Sequence, residues 1–313
     1  MRAYILRSML RAFLTMLVVM TMVFVVLRLG PLDPAQFMLG EYATAETLQK
    51  LRESMELDQP IYVQYLSFIR RLFQGDFGSS FVNKQSVVSQ LGQVLPYTLE
   101  LVIAGVLMGI LLGVPPGVIA ALKPNGVFDQ AIRLLTLVGI SVPIFVSGIF
   151  LISIFSLKFN LLPAIGGGEG GSLKSTLLHL ILPAFSCGIL MMASIARLTR
   201  ASLLEVLRKE YIVTARSKGL RESIVVCKHG LRNSLLPLIT FLGIYINILL
   251  GSAVLVEVIF TRPGVGRLIV EAIKSSDFPM VQTILMFYAG AVVVVNLVID
   301  LVYSLVDPRI VYK

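Results

Sequence analysis

The sequence predicts an all-α membrane protein with six transmembrane helices and both termini in the cytoplasm. Three observations support this prediction: the composition, six long charge-free segments, and the distribution of lysine and arginine. Hydrophobic residues make up 56% of the 313 residues, and charged residues only 14%. Soluble globular proteins carry about 25% charged residues, and disordered chains are polar and poor in aromatic residues. The composition therefore excludes both of these classes.

Six segments without a charged residue are candidates for membrane-spanning helices. A helix needs about 20 apolar residues to cross the hydrocarbon core of a membrane. The six segments are 12–27, 101–122, 134–157, 175–196, 233–256 and 278–299. The first has only 16 residues, but Arg11 and Arg28 at its ends can reach the two membrane interfaces. We therefore predict six spans, arranged as a helical bundle.

Lysine and arginine are concentrated in the segments that face the cytoplasm if both termini lie there. These inner segments, 1–11, 123–133, 197–232 and 300–313, hold 16 of the 27 basic residues in 72 positions, and the outer segments hold 11 in 111. Cytoplasmic loops of membrane proteins carry such an excess. The net charge of +9 thus indicates topology. Nucleic acid is not an expected partner, because the chain has no separate basic soluble domain.

The predicted organisation has three parts. Residues 1–29 form the N-terminal tail and first transmembrane helix, 30–96 form an extracytoplasmic loop with short helices, and 97–313 form a core with five transmembrane helices. In the outer loop, residues 44–60 and 61–74 show helical spacing of apolar residues, and GDFGSS (75–80) is typical of a turn. Two roles for this loop stay open: a cap on the bundle, and a docking surface or gate for an external partner.

The cytoplasmic loop 197–234 is strongly basic, with nine Lys and Arg. Residues 197–208 are predicted to continue the fourth span. A short helix follows, with Tyr211, Ala215 and Leu220 as an apolar stripe and Gly219 as its C-terminal glycine. Such a helix suits insertion into a groove of a partner protein. The alternative is a helix that lies on anionic lipid.

The chain shows no sign of chemistry of its own. HExxH, GxSxG, CxxC and the phosphate-binding loop GxxxxGK[ST] are all missing, and two cysteines and two histidines do not make a zinc cluster. We expect no catalytic residue, no metal and no cofactor in this chain. Ionisable residues near the membrane midplane, which mark ion-coupled carriers, are also missing. A self-sufficient channel or secondary carrier is therefore only a remote alternative.

Two residues inside the spans are candidates for a translocation pathway. Pro115 with Pro116, Pro143 and Pro183 interrupt three of the predicted spans. Such breaks often line a pathway, and Pro143 is the candidate among them, but prolines also occur simply as kinks. Asn247 lies in the middle of the fifth span. A contact between helices is the alternative role for this side chain.

Motifs along nearly the whole chain resemble one family of transport proteins. They are GPLDP (30–34), ELDQP (56–60), GDFGSS (75–80), LPYTLEL (95–101), GISVPIF (139–145), ARLTRASLLEVL (196–207), EYIVTARSKGL (210–220), KHGLRNSLLPLIT (228–240), EVIFTRPGVGRL (257–268), DFPMVQ (277–282) and NLVIDLVYSLVDPRIVY (296–312). The chain resembles the inner-membrane permease subunits of ATP-binding-cassette (ABC) importers, specifically the first permease of the dipeptide, oligopeptide and nickel group. EYIVTARSKGL followed by KHGLRN is highly specific for this group.

The resemblance implies the fold of a type I ABC importer transmembrane domain in the bacterial cytoplasmic membrane. It also implies that the short inner helix is the coupling helix, which docks on a cytoplasmic ATPase subunit. The residues that match this role are Glu210, Tyr211, Thr214, Ala215, Arg216, Ser217, Lys218, Gly219 and Leu220. The general signature of these importers has an acidic residue at the position of Val213, and the nearest here is Glu210.

The expected partners follow from the same resemblance. They are a second homologous permease subunit, two cytoplasmic ATPase subunits that bind ATP and Mg²⁺, an extracytoplasmic substrate-binding protein and membrane lipid. The implied function is the ATP-driven import of di- and oligopeptides by alternating access. Nickel, glutathione or another small solute is the alternative substrate for the same architecture.

Overall fold

The computed structural model describes residues 2–29, 33–40, 44–168 and 172–306. Five helices in these ranges are long and apolar enough to cross a membrane: α1 (Arg2–Leu29), α5 (Val87–Leu122), α8 (Leu173–Leu207), α12 (Leu236–Ile259) and α14 (Phe278–Val306). Several parts of the chain that the sequence analysis covered lie outside the described residues. They are the first three residues of the GPLDP motif, residues 169–171 in the outer connection between the third and fourth spans, and the two chain ends, which are predicted to be cytoplasmic. Five of the six predicted spans are thus confirmed as single helices.

The third span, predicted over 134–157 with an interruption at Pro143, is a bent pair of helices. Helix α6 (Val127–Ser141) and helix α7 (Ile144–Leu151), which continues as the π-helical segment Ile152–Lys158, meet at an angle of 104°. Pro143 lies at the break and has no N–H to donate. Val142 before it is extended, with φ −84° and ψ 122°, as a residue before proline prefers. Residues 127–133, predicted as an inner loop, belong to α6.

Short helices connect the long ones. On the predicted outer side these are α2 (Pro34–Leu39), α3 (Ala45–Ser54), α4 (Ile61–Phe73) and α13 (Val265–Lys274). On the predicted inner side they are α9 (Glu210–Ser217), α10 (Glu222–Ile224) with its π-helical continuation Val225–Leu231, and α11 (Arg232–Ser234). The two helices predicted in 44–74 are confirmed as α3 and α4. Thr44 caps α3 through a hydrogen bond from the Thr47 N–H to its hydroxyl.

The chain divides into two compact units. The first consists of residues 1–96 and 265–297, and the second of residues 97–264 and 298–313. In the first unit, Phe24 of α1 packs against Tyr65 and Phe68 of α4, with ring centroids 5.3 and 5.2 Å apart. The Arg28 guanidinium donates to Gln64 Oε1 at 3.0 Å. These contacts fix α4 against the outer end of α1.

Two sequence motifs almost 200 positions apart meet in the first unit. Asp277 of DFPMVQ is buried and accepts hydrogen bonds from the Ser80 hydroxyl and from the backbone N–H groups of Phe81 (3.0 Å) and Val82 (3.4 Å). The Thr283 hydroxyl donates to the Phe77 carbonyl at 2.7 Å. The GDFGSS turn is therefore held by the start of α14.

The second unit is built around a close contact between α5 and α8. Four glycines of α5 at spacings of four residues face α8: Gly105, Gly109, Gly113 and Gly117. A Cβ atom at Gly117 would lie 2.6 Å from the Ala196 carbonyl oxygen. Small residues at such spacing let two backbones approach in a membrane, where packing rather than water drives helix association. This contact fixes the position of α8, the helix that leads to the inner loop.

Candidate functional site: the inner loop

The inner loop starts where α8 leaves the predicted membrane span. Helix α8 runs unbroken for 35 residues from Leu173 to Leu207, so the predicted cytoplasmic continuation of the fourth span is confirmed. Helix α9 begins at Glu210, after two connecting residues. It ends as predicted, because Gly219 has φ +74°, and its N–H donates to the Arg216 carbonyl at 2.9 Å. A residue with a side chain rarely adopts this left-handed conformation, which explains the glycine.

A small apolar core supports one face of α9. Ile212 and Ala215 of this helix are buried against Val225, with Leu207 at the end of α8 packed beside them. Helix α9 is therefore fixed to α8 and to the π-helical segment after α10, within the second unit. A displacement of α9 by a partner protein would act on α8 through these contacts.

The opposite face of α9 and its C-terminal turn are open to a partner. The exposed residues from the predicted docking set are Glu210, Tyr211, Thr214, Arg216, Ser217, Lys218, Gly219 and Leu220. The ninth, Ala215, is only 7% exposed and belongs to the supporting core. The apolar stripe predicted from the sequence is thus divided, with Tyr211 and Leu220 exposed on the open side.

An ion pair closes the turn after α9. The Arg216 guanidinium donates two hydrogen bonds to the Glu222 carboxylate, at 3.1 and 2.6 Å. This hydrogen bonding lowers the pKa of Glu222 and raises that of Arg216. Arg216 is therefore already paired within this chain. Lys218, two residues further along, is the more accessible cation for an acidic partner surface.

The two candidate pathway residues lie on different helices. Pro143 is exposed at the break between α6 and α7. Asn247 is half-buried in α12 and donates a hydrogen bond from Nδ2 to the Gly243 carbonyl at 3.4 Å. Their part in translocation stays a prediction. In the described ranges, no cluster of three or more His, Cys, Asp or Glu could hold a metal ion.

The sequence reasoning missed the polar contacts that hold the bend at Pro143. The hydroxyls of Ser147 and Ser186 both donate to the Ile144 carbonyl, at 2.7 and 3.0 Å. Ser186 belongs to α8, so the bend is fastened to that helix. A broken helix in a membrane requires such partners for its freed backbone groups. Serines within apolar segments were the indication of these hydrogen bonds in the sequence. Their partners could not be predicted, because Ser186 contacts Ser147 and Ile144, which lie 39 and 42 positions earlier in the chain.

A second missed cluster lies at the predicted outer end of the second unit. The Arg262 side chain is fully buried and donates to Glu100 Oε2 at 2.6 Å and to the Tyr97 carbonyl at 3.2 Å. Burial lowers the pKa of Arg262, and the negative charge of Glu100 opposes this shift. The Thr98 hydroxyl donates to Glu257 Oε1 at 2.6 Å. In the sequence this polar cluster was indicated by Glu100 and Glu257, two acidic residues at the ends of predicted spans.

Comparison with known proteins places this architecture in one class. Residues 113–312 match the family model described as the inner membrane component of binding-protein-dependent transport systems, and residues 1–102 match its N-terminal companion. The fold resembles a chain of the methionine ABC transporter MetNI in an inward-facing conformation, with a TM-score of 0.54 and 18% identity. The match covers 70% of this chain and 97% of the other.

Full-length relatives point the same way. The chain is 36% identical over 310 residues to the glutathione transport system permease protein GsiC of Pectobacterium atrosepticum, covering 99% of each chain. It is 37% identical over 313 residues to the probable peptide ABC transporter permease protein y4tP of Sinorhizobium fredii, covering both chains completely.

The chain belongs to the family of inner membrane components of binding-protein-dependent transport systems. It is a multi-pass permease subunit of an ABC importer in the cytoplasmic membrane. The class implies partners of two general kinds, an ATPase and a substrate-binding protein. The resemblance found in the sequence motifs is thereby confirmed.

Proposed function

We propose that this chain imports di- and oligopeptides as one of two homologous permease subunits, with α9 as the helix that receives the motion of an ATPase. The observation that carries the proposal is the two-sided construction of α9. Its open face presents eight of the nine docking residues, and its other face is fixed to α8 through Ile212 and Ala215. A helix that only rested on lipid would not need this support.

The chemistry of the open face fits a protein groove. Tyr211 is 43% exposed, and its hydroxyl accepts a hydrogen bond from Asn233 Nδ2 at 3.0 Å, which holds the ring in one orientation. A positioned aromatic ring loses little entropy on binding, so it makes an effective anchor. Lys218, at the C-terminal end of the same helix, supplies a positive charge for an acidic rim.

In this mechanism the chain contributes no catalytic group and no cofactor. Two cytoplasmic ATPase subunits bind ATP and Mg²⁺ and close on each other. They carry α9 of each permease subunit with them, and the two bundles rock between outward-open and inward-open states. An extracytoplasmic binding protein delivers the substrate. Pro143 and Asn247 are proposed to line the route between the bundles.

Small peptides are the proposed substrates because the relatives agree in chemistry. One is named for peptides and others for glutathione, which is itself a tripeptide. Import of glutathione is therefore the second candidate, with nickel or another small solute behind it. Uptake of labelled glutathione, a dipeptide and Ni²⁺ into vesicles that contain the purified assembly would distinguish them. Uptake of Ni²⁺ alone would contradict the peptide proposal.

The docking role is tested with Gly219→Asp. At φ +74° the substitution adds backbone strain and places a negative side chain on the open face, where no atom lies within 4 Å of the new Cβ. We expect normal membrane insertion but loss of substrate-stimulated ATP hydrolysis and of uptake. Purification of the tagged chain after crosslinking should recover two ATPases and a second permease.

A matched control separates strain from docking. Gly75 also has a positive φ of +77° and open space around its Cβ position, but it lies in the predicted outer loop. Gly75→Asp imposes the same strain there and should leave ATP hydrolysis coupled to transport. Full ATPase stimulation and uptake by Gly219→Asp would contradict the docking assignment.

A further inference from the structure

A groove between α6 and α8 combines arginines with an apolar wall. Its volume is about 650 Å³. Of the ten described residues that line it, three are arginines, and none is acidic. Arg197 and Arg200 come from α8, where it leaves the predicted membrane span, and Arg133 from the first half of α6. The charge distribution assigns this end of α8 to the cytoplasmic side, so the groove lies at the level of the inner membrane leaflet.

One buried carboxylate beneath the groove fixes only one of the three arginines. Asp129 is fully buried and accepts hydrogen bonds from Arg200 Nε at 2.5 Å and from a terminal nitrogen at 2.7 Å. Its second oxygen also accepts from the Asn125 N–H at 2.8 Å. Arg133 Nε is further away, 3.6 Å from Asp129, and half of its side chain is exposed. Arg197 is exposed as well.

The positive charge at the mouth of the groove therefore exceeds the negative charge below it. Asp129 brings one negative charge to three arginines: it is hydrogen-bonded to Arg200 and forms a longer ion pair with Arg133, so a surplus of two positive charges remains at the groove. Glu205, the next acidic residue along α8, pairs with Lys209 at 3.0 Å. An anionic ligand with a small polar head would be held by two guanidinium groups at this place.

The wall that leads away from the arginines is apolar and exposed. Leu134 is 65% exposed and Leu137 63%, and Ile140 continues the same face of α6 by one further turn. A soluble phosphate compound would gain nothing from these side chains. An acyl chain in the membrane would cover them, with its headgroup phosphate at the level of the arginines.

We propose that this groove binds an anionic phospholipid of the inner leaflet, with its phosphate between Arg133 and Arg197 and an acyl chain along Leu134 and Leu137. Basic pockets between helices on the cytoplasmic side are suited to such headgroups. The bound lipid would fill the space between α6 and α8 and so support the first half of the bent span.

The test measures lipid binding to the full chain. Phosphatidylglycerol or phosphatidylcholine is titrated onto the purified chain in mild detergent, and bound lipid is counted by native mass spectrometry. Each basic side chain near an anionic lipid surface strengthens binding about fivefold. We therefore expect Arg133→Gln with Arg197→Gln to weaken phosphatidylglycerol binding by about 25-fold. Phosphatidylcholine binding should hardly change.

A control pair of substitutions removes two positive charges elsewhere in the predicted inner region. Arg208 and Lys228 are exposed and do not line the groove, so Arg208→Gln with Lys228→Gln should bind phosphatidylglycerol like the parent chain. Leu134→Ser with Leu137→Ser tests the acyl-chain wall and should also weaken binding. Equal thermal unfolding of all variants in phosphatidylcholine would show that they are folded.

Three results would overturn the proposal. In the first, the groove pair binds phosphatidylglycerol as well as the parent. In the second, the control pair loses as much binding as the groove pair, which would indicate surface charge without a site. In the third, inorganic phosphate competes as strongly as the lipid and the leucine substitutions have no effect, which would indicate a soluble anion.

Discussion

The inner loop around α9 and the outer cluster around Asp277 use polar residues in opposite ways. Around α9, Lys218 and Tyr211 are exposed, and the polar residues contact each other through the Arg216–Glu222 ion pair and the hydrogen bond from Asn233 to the Tyr211 hydroxyl. Around Asp277, a buried carboxylate collects hydrogen bonds from Ser80, Phe81 and Val82, and its polar atoms are used within the chain. Both regions carry motifs of the same family.

The difference shows that the residues of a family motif can be explained in two ways, by folding of the chain itself or by contact with a partner. DFPMVQ and GDFGSS are needed to fold the outer part of the first unit, because each supplies what the other requires. EYIVTARSKGL fixes its own helix with two apolar residues and leaves the others exposed, which the proposed docking on a partner would explain. The exposure of a motif's polar atoms distinguishes these origins.

Substitution of Asp277 should have the strongest effect on folding. Asp277→Ala removes the acceptor of the buried Ser80 hydroxyl and of the partly buried N–H groups of Phe81 and Val82, at a cost of about 3 kcal/mol. Asp277→Asn keeps one carbonyl oxygen and should cost less. Asp76→Ala, an exposed aspartate of the neighbouring motif, is the control. Thermal unfolding followed by circular dichroism measures the three, and equal losses for Asp76 and Asp277 would contradict the distinction.

Gly117→Ala should destabilise the second unit through the contact of α5 with α8. The added methyl group would lie 2.7 Å from the Thr199 Cβ and 2.6 Å from the Ala196 carbonyl oxygen, so the helices must separate. Such overpacking costs about 2 kcal/mol. Gly92 in the same helix has no atom within 4 Å of its Cβ position. Gly92→Ala should therefore be neutral or slightly stabilising.

The chain offers its own probe for this comparison. It has no tryptophan, but Cys187 of α8 is buried and Cys227 is exposed. In a Cys227→Ser background, a thiol-reactive dye reports the temperature at which Cys187 becomes accessible. The same temperature for Gly117→Ala and Gly92→Ala would show that the close contact does not limit stability.

Lys218→Glu should leave folding nearly unchanged and act on the partner. An exposed substitution of this kind alters stability by less than about 0.5 kcal/mol. Placing a negative charge against an acidic rim should reduce capture of the ATPase that co-purifies with the parent chain by at least about tenfold. Lys174→Glu, also exposed but on the predicted outer side, is the control. Undiminished capture by Lys218→Glu would remove Lys218 from the docking face.

The smallest effect is expected at the Arg216–Glu222 pair and should depend on pH. The pKa of Glu222 is lowered from 4.5 by its hydrogen bonds with Arg216. The pair therefore contributes stability above pH 4.5, and this contribution is lost as the pH falls through the lower folded-state value. The parent should unfold at a slightly higher temperature than Glu222→Gln at pH 7, and this difference should shrink as the pH falls below 4.5. A difference in unfolding temperature between the two proteins that stays the same at every pH would argue against the ion pair.

The sequence alone was sufficient to predict the spans that consist of one helix, because an apolar segment of about 20 residues forms few structures other than a membrane-spanning helix. It predicted an interruption at Pro143, but equally at Pro115 with Pro116 and at Pro183, so it did not single out the span that bends. Pro115 and Pro116 lie inside α5, and Pro183 inside α8, without ending either helix, whereas Pro143 does end one. The three sites look alike in the sequence. What differs is the surroundings: Ser186 holds one side of the bend, and Asp129 ties α6 to Arg200.

The candidate site could be predicted as a segment but not as a surface. The spacing of residues 210–220 indicated a helix ended by Gly219, and the family resemblance supplied its role. Which side of the helix is open depends on Val225 and Leu207, whose contacts with Ile212 and Ala215 require the folded chain. The same limit applied to the α6–α8 groove, which joins residues about 65 positions apart.

The serine contact at the bend has a mechanical consequence. Ser186 and Leu207 belong to one continuous helix and lie 21 positions apart, a distance of about 32 Å along its axis. The end of this helix touches the core beneath α9, and its middle is fastened to the Ile144 carbonyl. A displacement of the cytoplasmic end of α8 would therefore be transmitted along a continuous helix to Ser186. If α8 tilts, the bend at Pro143 must move with it, or the hydrogen bond from Ser186 to the Ile144 carbonyl breaks.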